Sequence, residues 1–235
     1  MEVIHDRKRL LYYVEKYGIR DCFSPDLFSY YLENMSLVQF HRDEYIYALK
    51  DDVRAMYFFL SGKINVCTVL SHGERQLLHF YDHFGILGDT EFFGKINPYI
   101  TIQAVNDSIC ISMSLIQTRK TLMKDPIFLK TLAEELADKL MVSSSNSALN
   151  IYDQLENRLS SYLLFRADSI KIGGHDVLVF HESLTETSEL LGTSYRHLTR
   201  TLKHFRESGV IIKIPEGYQL IQLNELRRMA ADEFL

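Results

Sequence analysis

Cysteine is scarce in this chain: only Cys22, Cys67 and Cys110 occur in 235 residues. They are widely separated, with no CxxC pair, which removes the basis for a cluster-ligand set or a disulfide framework. Cys67 and Cys110 fall in β-rich runs and are expected to be buried; thiol-based redox sensing, by Cys22 or another cysteine, stays open as an alternative. Long apolar runs are also missing. No stretch of eighteen apolar residues occurs, and the N-terminal MEVIHDRKRLLYYVEKYG is charged and amphipathic, so neither a spanning helix nor a signal peptide is expected and the protein reads as cytoplasmic. Positive charge is not in excess, with 26 Lys and Arg against 31 Asp and Glu. A net charge of −5 argues against a protein that coats nucleic acid without sequence preference. No nucleophile–base motif, Walker-type loop or metal-ligand spacing is found, so the sequence supports neither an enzyme nor a metal site. His72, His79 and His83 form the only histidine group, and i,i+4 positions in a strand share a face but lie far apart along it.

What is present suffices for two modest domains with real cores, since 46% of the residues are hydrophobic. Residues 1–35 read as helical, with Leu10, Leu11, Val14 and Tyr17 on one face and a break at Ser24-Pro25. Between Leu37 and Met113 the pattern changes to short β-rich runs, at residues 37–41, 44–49, 56–62, 64–70, 75–81, 99–105 and 109–113. Many short strands with regular turn signals predict an antiparallel β-roll or jelly roll. From Pro126 a stripe of Leu129, Leu132, Leu136 and Leu140 predicts a long helix. The stripe resumes at Leu149, Leu155 and Leu159 after a polar patch at residues 143–147. A narrow, sustained stripe fits a helix facing a copy of itself, which makes these four leucines the expected dimer interface; the alternative lays the helix on its own barrel. The serine patch is poor helix sequence and marks a place for the seam to bend or for an effector to touch.

Residues 184–203, LTETSELLGTSYRHLTRTLK, read as helix, turn, helix. The first helix is expected to start at an N-cap Thr185, with Ser188 at N3, and to end at Gly192, which supplies the left-handed turn. Thr193 and Ser194 are placed to cap the second helix, and Leu198, Leu202 and Phe205 lie on its inward stripe. Opposite them stand Tyr195, Arg196, Thr199, Arg200, Lys203 and Arg206. Residues 193–207 carry four Lys or Arg and two His against one Glu, so local charge outranks net charge. Residues 210–215, a turn at 215–217 and residues 218–223 then form a short hairpin, a wing. Residues 155–165 predict a helix beneath this unit, residues 168–176 a Gly-Gly hairpin, and residues 225–234 a closing helix.

Helix, turn, helix and wing in that order resemble the C-terminal domain of the Crp/Fnr family of bacterial transcription regulators. Gly192, Ser194 and Arg200 match that family's Gly-x-Ser-Arg-Glu-Thr-Val-x-Arg signature; Tyr195, Arg196 and His197 replace its Arg, Glu and Thr. Residues 58–64 resemble the strand-glycine-strand of cyclic-nucleotide-binding domains, and residues 84–89 that fold's phosphate-cassette entrance. The resemblance implies an α+β chain: a helical segment and β-roll sensor at 1–125, a dimerisation helix at 126–153 and a winged helix-turn-helix at 154–235. It also implies a homodimer on a palindromic site in double-stranded DNA, with RNA polymerase as a further partner of an activator. The DNA-contacting set is then Thr193, Ser194, Tyr195, Arg196, His197, Thr199, Arg200 and Lys203. Arginine in place of glutamate presents a donor fork suited to guanine N7 and O6, so the family half-site is not carried over.

An effector pocket would be lined by Gly85, Gly88, Asp89, Tyr99 and Thr101. Family members that bind a cyclic nucleotide place a glutamate after the cassette glycine and an arginine on the phosphate. Here the carboxylate is Asp89, one methylene shorter, and no Lys or Arg occurs between Lys95 and Arg119. Cyclic AMP is therefore not expected to bind, and no cofactor or effector is named by the sequence. The cysteine cluster of the family's oxygen-sensing branch is absent. The second reading is a ligand-sensing or protein-interaction module whose winged helix no longer recognises DNA; a basic face kept by Arg196, Arg200 and Lys203 argues against it.

Overall fold

The computed structural model describes residues 1–49, 53–69, 75–94, 100–150 and 155–230, without the side chains of 142–150. The chain divides into two units, Met1–Val69 with Phe80–Met141, and Leu70–His79 with Val142–Leu235.

The first unit begins with strand β1 (Glu2–Ile4) and helix α1 (Arg7–Lys16). The N-terminus is thus not helical from its start: Asp6 is the N-cap of α1, accepting from the Lys8 and Arg9 amides, and the residues before it are extended along a neighbouring strand. Leu10 and Val14 are buried, whereas Leu11 is exposed. Two short 3-10 turns, Ile19–Cys22 and Pro25–Leu27, lead into α2 (Phe28–Glu33). Strands β2 (Met35–Phe40), β3 (Tyr45–Tyr47), β4 (Ala55–Ser61), β5 (Ile64–Val69) and β6 (Arg75–Tyr81) follow. The seven expected strands are all present, with ends that differ by at most two residues. Strand β7 (Gly85–Leu87) and the single turn α3 (Asp89–Phe92) come next, then β8 (Ile100–Ala104), β9 (Ser108–Ser114), α4 (Leu115–Leu122) and α5 (Pro126–Asn150).

Two sheets result, ordered β1-β2-β9-β4-β7 and β3-β8-β5-β6. Strict side-chain alternation sorts the first sheet into two buried faces. Val38, Phe40, Tyr57, Phe59, Leu87 and Cys110 pack between the sheets with Ile46, Tyr47, Ile64, Ile102 and Ala104. Leu37, Met56, Phe58, Leu60, Ile86, Ile111 and Met113 face the other way, under α1, α2, α4 and α5. Burial on both faces explains why residues 56–60 read as an unbroken apolar run. All three cysteines are buried and none is in a disulfide. Burial, then the nearby Asp21 and Glu135 carboxylates, pushes the Cys22 thiol up to about 11, which leaves almost no thiolate for redox chemistry at neutral pH.

Helix α5 corrects the expectation for the leucine stripe. Leu132 is fully buried in its own core, and Leu129 and Leu136 pack against that core, so these three face the β-roll. Only Leu140 of the four is free, at 67% exposure. Leu132, enclosed by its own domain, has no surface left for a partner helix, whereas Leu129 and Leu136 are half-buried and keep part of theirs. The backbone stays helical through residues 143–147, and the side chains of the serine patch lie outside the described residues. No helix among the described residues is long and apolar enough to cross a membrane.

The second unit contains α6 (Leu155–Arg166), the hairpin β10 (Asp168–Ile172) and β11 (His175–Phe180), α7 (Leu184–Leu190) and α8 (Tyr195–Glu207). The hairpin β12 (Ile211–Ile214) and β13 (Gly217–Leu220) and helix α9 (Leu223–Met229) complete it. Its sheet runs β10-β11-β13-β12. The closing helix begins two residues earlier than expected, and residues 231–235, where its predicted end falls, lie outside the described residues.

Candidate nucleic-acid interface

The interface is built from the turn outward. Helix α7 is capped by Ser183 rather than Thr185: the Ser183 hydroxyl accepts from the amide of Glu186, at the N3 position. At its other end the Thr193 amide donates to the Ser188 carbonyl at 2.9 Å and the Gly192 amide to the Glu189 carbonyl at 3.0 Å. These two bonds form a Schellman motif around Gly192, whose φ of 60° is the left-handed conformation the motif needs. The Arg158 guanidinium on α6 donates to the Leu191 carbonyl at 2.8 Å and so fixes the turn from below.

Ser194 caps α8 by accepting from the His197 amide at 3.2 Å. Leu198, Thr201, Leu202 and Phe205 are buried, which turns the opposite face outward. On that face Tyr195 is 53% exposed. Arg196, His197, Arg200 and Lys203 are exposed too, and Thr199 is half-buried. The hydroxyls of the face are largely committed: Ser194 to the cap, and Thr199 to the Tyr195 carbonyl at 2.9 Å. Thr193 Oγ1 lies 3.4 Å from His197 Nδ1. The exposed side chains that reach furthest are therefore the neutral Tyr195 and the cationic Arg196, Arg200 and Lys203, the last sharing its ammonium with Glu207 at 3.6 Å.

The wing is held by close backbone packing. A Cβ on Gly217 would stand 2.2 Å from the Phe180 carbonyl oxygen, so only glycine lets β13 approach β11 this closely. Lys213 lies over the Tyr218 ring, 4.3 Å from its centroid, on the exposed hairpin. Under it, Tyr162 donates to Glu182 at 2.8 Å and Arg166 pairs with the same carboxylate, tying α6 to the segment that enters α7.

Of the expected effector residues, Gly85, Gly88 and Asp89 lie together along one segment. Gly85 lies in β7, and Gly88 and Asp89 form the β7–α3 corner. Thr101 pairs with Cys67 and is buried at 4% exposure, on the face of β8 opposite Ile100, Ile102 and Ala104. Tyr99 and His72 lie outside the described residues. Asp89 is buried, with one carboxylate oxygen accepting from the Thr90 amide at 2.8 Å and the other from Lys139 at 2.6 Å. Both carboxylate oxygens are thus already engaged by the protein's own donors. Sequence reasoning missed Lys139 because its partner is fifty residues away and its own surroundings read as the polar side of a helix.

A β-roll carrying a cassette-like corner, followed by a long helix and a winged helix-turn-helix, defines a sensor-type regulator with a DNA-binding domain. Comparison with known proteins agrees. The cyclic nucleotide-binding domain matches residues 37–125 and the Crp-like helix-turn-helix domain residues 157–229. The regulatory protein YeiL of Escherichia coli O157:H7 is 25% identical over 215 residues, covering 92% of this chain and 93% of that one. A Crp/Fnr-family structure from Eubacterium rectale has a TM-score of 0.72 at 14% identity, over 88% of this chain and 94% of that one. A CRP-family regulator from Thermus thermophilus gives 0.64 at 20% identity, over 84% and 98%. The chain belongs to the Crp/Fnr family of transcription regulators.

Proposed function

We propose that the protein is a cytoplasmic homodimer that binds a palindromic promoter site, with α8 of each protomer in the major groove. The carrying observation is the outward face of α8, where Arg196 and Arg200 extend from a capped, well-buried helix beside Tyr195 and Lys203. Arg196 and Arg200 read guanine edges, Tyr195 stacks or touches a thymine methyl, and Lys203 meets phosphate. Thr193, Ser194, His197 and Thr199 shape the helix start that faces the backbone.

The dimer seam is the exposed ridge of α5 rather than its leucine stripe. Ala133 and Ala137 are exposed, followed by Leu140 and Met141 at 67% and 69% exposure. Positions i, i+4, i+7 and i+8 make one face, and two small residues allow a partner helix to approach closely. Activation through RNA polymerase is the family's mode; occlusion of a promoter uses the same DNA contact. A small-molecule effector other than cyclic AMP is a further partner of the β-roll.

The test is selection of bound fragments from a random DNA pool by the purified chain without added ligand. Enrichment of a palindrome with half-sites about 34 Å apart supports the reading. No enrichment, with or without cell extract, would favour the second reading, an interaction module whose winged helix has lost recognition.

A further inference from the structure

Among the described residues, strand β7 is the outer strand of its sheet, with β4 on one side only. Backbone groups on the open side of such a strand need partners from elsewhere. Helix α5 provides them for Ile86. The Ile86 amide donates to Glu135 at 3.0 Å, and the Ile86 carbonyl accepts from the Lys139 ammonium. Glu135 and Lys139 stand four residues apart on one helix face and lie 3.4 Å from each other. Lys139 also reaches the Asp89 carboxylate, at the first residue of α3, and its ammonium is 5.8 Å from the Tyr81 ring. One lysine therefore joins the dimerisation helix, the outer strand and the cassette corner. Burial works against its charge, but Asp89 above all, then Tyr81 and Glu135, more than offset this and raise the Lys139 pKa, so it is an ammonium at neutral pH.

The inner side of the same corner is also filled. The Tyr47 hydroxyl donates to the Ala55 carbonyl at 2.8 Å or the Leu87 carbonyl at 3.3 Å. It lies 2.3 Å from where a Cβ on Gly88 would stand, so the phenol occupies the space against the cassette glycine. Asp89, Glu135 and Lys139 together sum to one negative charge, which disfavours a nucleotide phosphate beside them.

We propose that Lys139 is a built-in substitute for a diffusible effector: with Glu135 it clamps α5 onto Ile86 and Asp89, fixing the helix against the β-roll so that the dimer binds DNA without a cyclic nucleotide. The inference rests on the DNA-binding homodimer reading, so its test includes a measurement that needs no DNA. Full-length wild type, Lys139→Met, Lys139→Arg and the charge-balanced double variant Asp89→Asn with Lys139→Met are compared. The double variant guards against a fold lost to an unpaired buried Asp89. Amide hydrogen exchange is followed in residues 85–92 and in α8, DNA affinity is measured on the selected palindrome, and wild type is titrated with cyclic AMP and cyclic GMP by calorimetry.

Expected are exchange about tenfold faster at residues 85–92 in both Met-containing variants, unchanged exchange in α8, and DNA binding weaker by about tenfold or more. Lys139→Arg keeps most of both, and wild type takes up neither nucleotide at millimolar concentration. Unchanged exchange and DNA affinity in the double variant would overturn the proposal. So would a wild type that binds either nucleotide and needs it to bind DNA. Faster exchange in proteins that never bind DNA would support the clamp while removing the DNA-binding reading.

Discussion

Replacing Asp125 by Ala tests how the long helix is anchored to the β-roll. The side chain is fully buried at the residue preceding Pro126, the first residue of α5. One carboxylate accepts from the Ile127 amide at 3.1 Å and the Phe128 amide at 3.2 Å, which caps the helix. It also accepts from the Ser24 amide at 3.0 Å and the Ser24 hydroxyl at 2.7 Å, which ties the N-terminal segment to the helix start. Loss of the cap costs about 1 kcal/mol. Leaving the half-enclosed Ser24 donors without an acceptor adds about 1–3 kcal/mol. The sum, about 2–4 kcal/mol, corresponds to a melting point lower by roughly 5–15 °C for a chain of this size. Thermal unfolding followed by circular dichroism measures it, with Asp125→Asn falling between the two because it keeps one acceptor.

The pH dependence has a definite sign. Burial opposes ionisation of Asp125, but hydrogen bonds from the Ser24 hydroxyl, the Ser24 amide and the Phe128 amide outweigh it and hold the carboxyl below the usual carboxylate range. Its contribution is therefore full above the unfolded value of about 3.9 and is lost as pH falls through the lower folded value. The gap between wild type and Asp125→Ala should be constant from neutral pH down to about pH 5 and close below about pH 4. An Ala variant melting within about 2 °C of wild type at neutral pH would refute the accounting.

Three other perturbations address the DNA-binding unit, and a fourth the seam. Arg200→Ala should weaken specific binding by about 1–3 kcal/mol per half-site and relax one base position in a repeated selection; an unchanged preference would take base reading away from it. Lys203→Ala should instead weaken all sequences alike and lower the salt slope by about one per protomer, seen in affinities measured across a salt series. Gly217→Ala forces a Cβ against the Phe180 carbonyl at a φ of 151°, so stability should fall by about 1–3 kcal/mol in urea titration, with DNA affinity reduced as the wing shifts. Leu140→Glu with Met141→Glu should give monomers in sedimentation while the melting of the β-roll is kept, whereas Leu132→Ala should cost about 2–5 kcal/mol and leave the dimer; a dimer that survives both charges would place the seam elsewhere.

The recognition helix was legible because everything that makes it is local. Ser194, Leu198, Leu202 and Phe205 lie within four turns, and the helical period alone assigns each to cap or core. The same holds for the seven expected strands, whose apolar runs and turn residues are adjacent in the chain. Strands β1 and β7, three residues each, carry no periodic signal; they exist because a paired neighbour lies beside them. The start of α7 departs from the expected Thr185 for a related reason, since it is the Ser183 hydroxyl that reaches an open amide, that of Glu186.

By itself, the sequence determined the type of the longer segments, the order of β-roll, long helix and winged helix-turn-helix, and the basic outward face of α8. Periodicity and caps act over a few residues, and their information is complete within the segment. Tertiary structure alone decided which way α5 faces, turning Leu129, Leu132 and Leu136 into the β-roll and leaving Leu140 and Met141 outside. It alone brought Lys139 to Asp89 and Ile86. A helix shows the same leucine stripe whether it meets its own sheet or a second copy, and a carboxylate gives no sign of a cation fifty residues away; only packing, by enclosing one face and desolvating the pair, chooses between them.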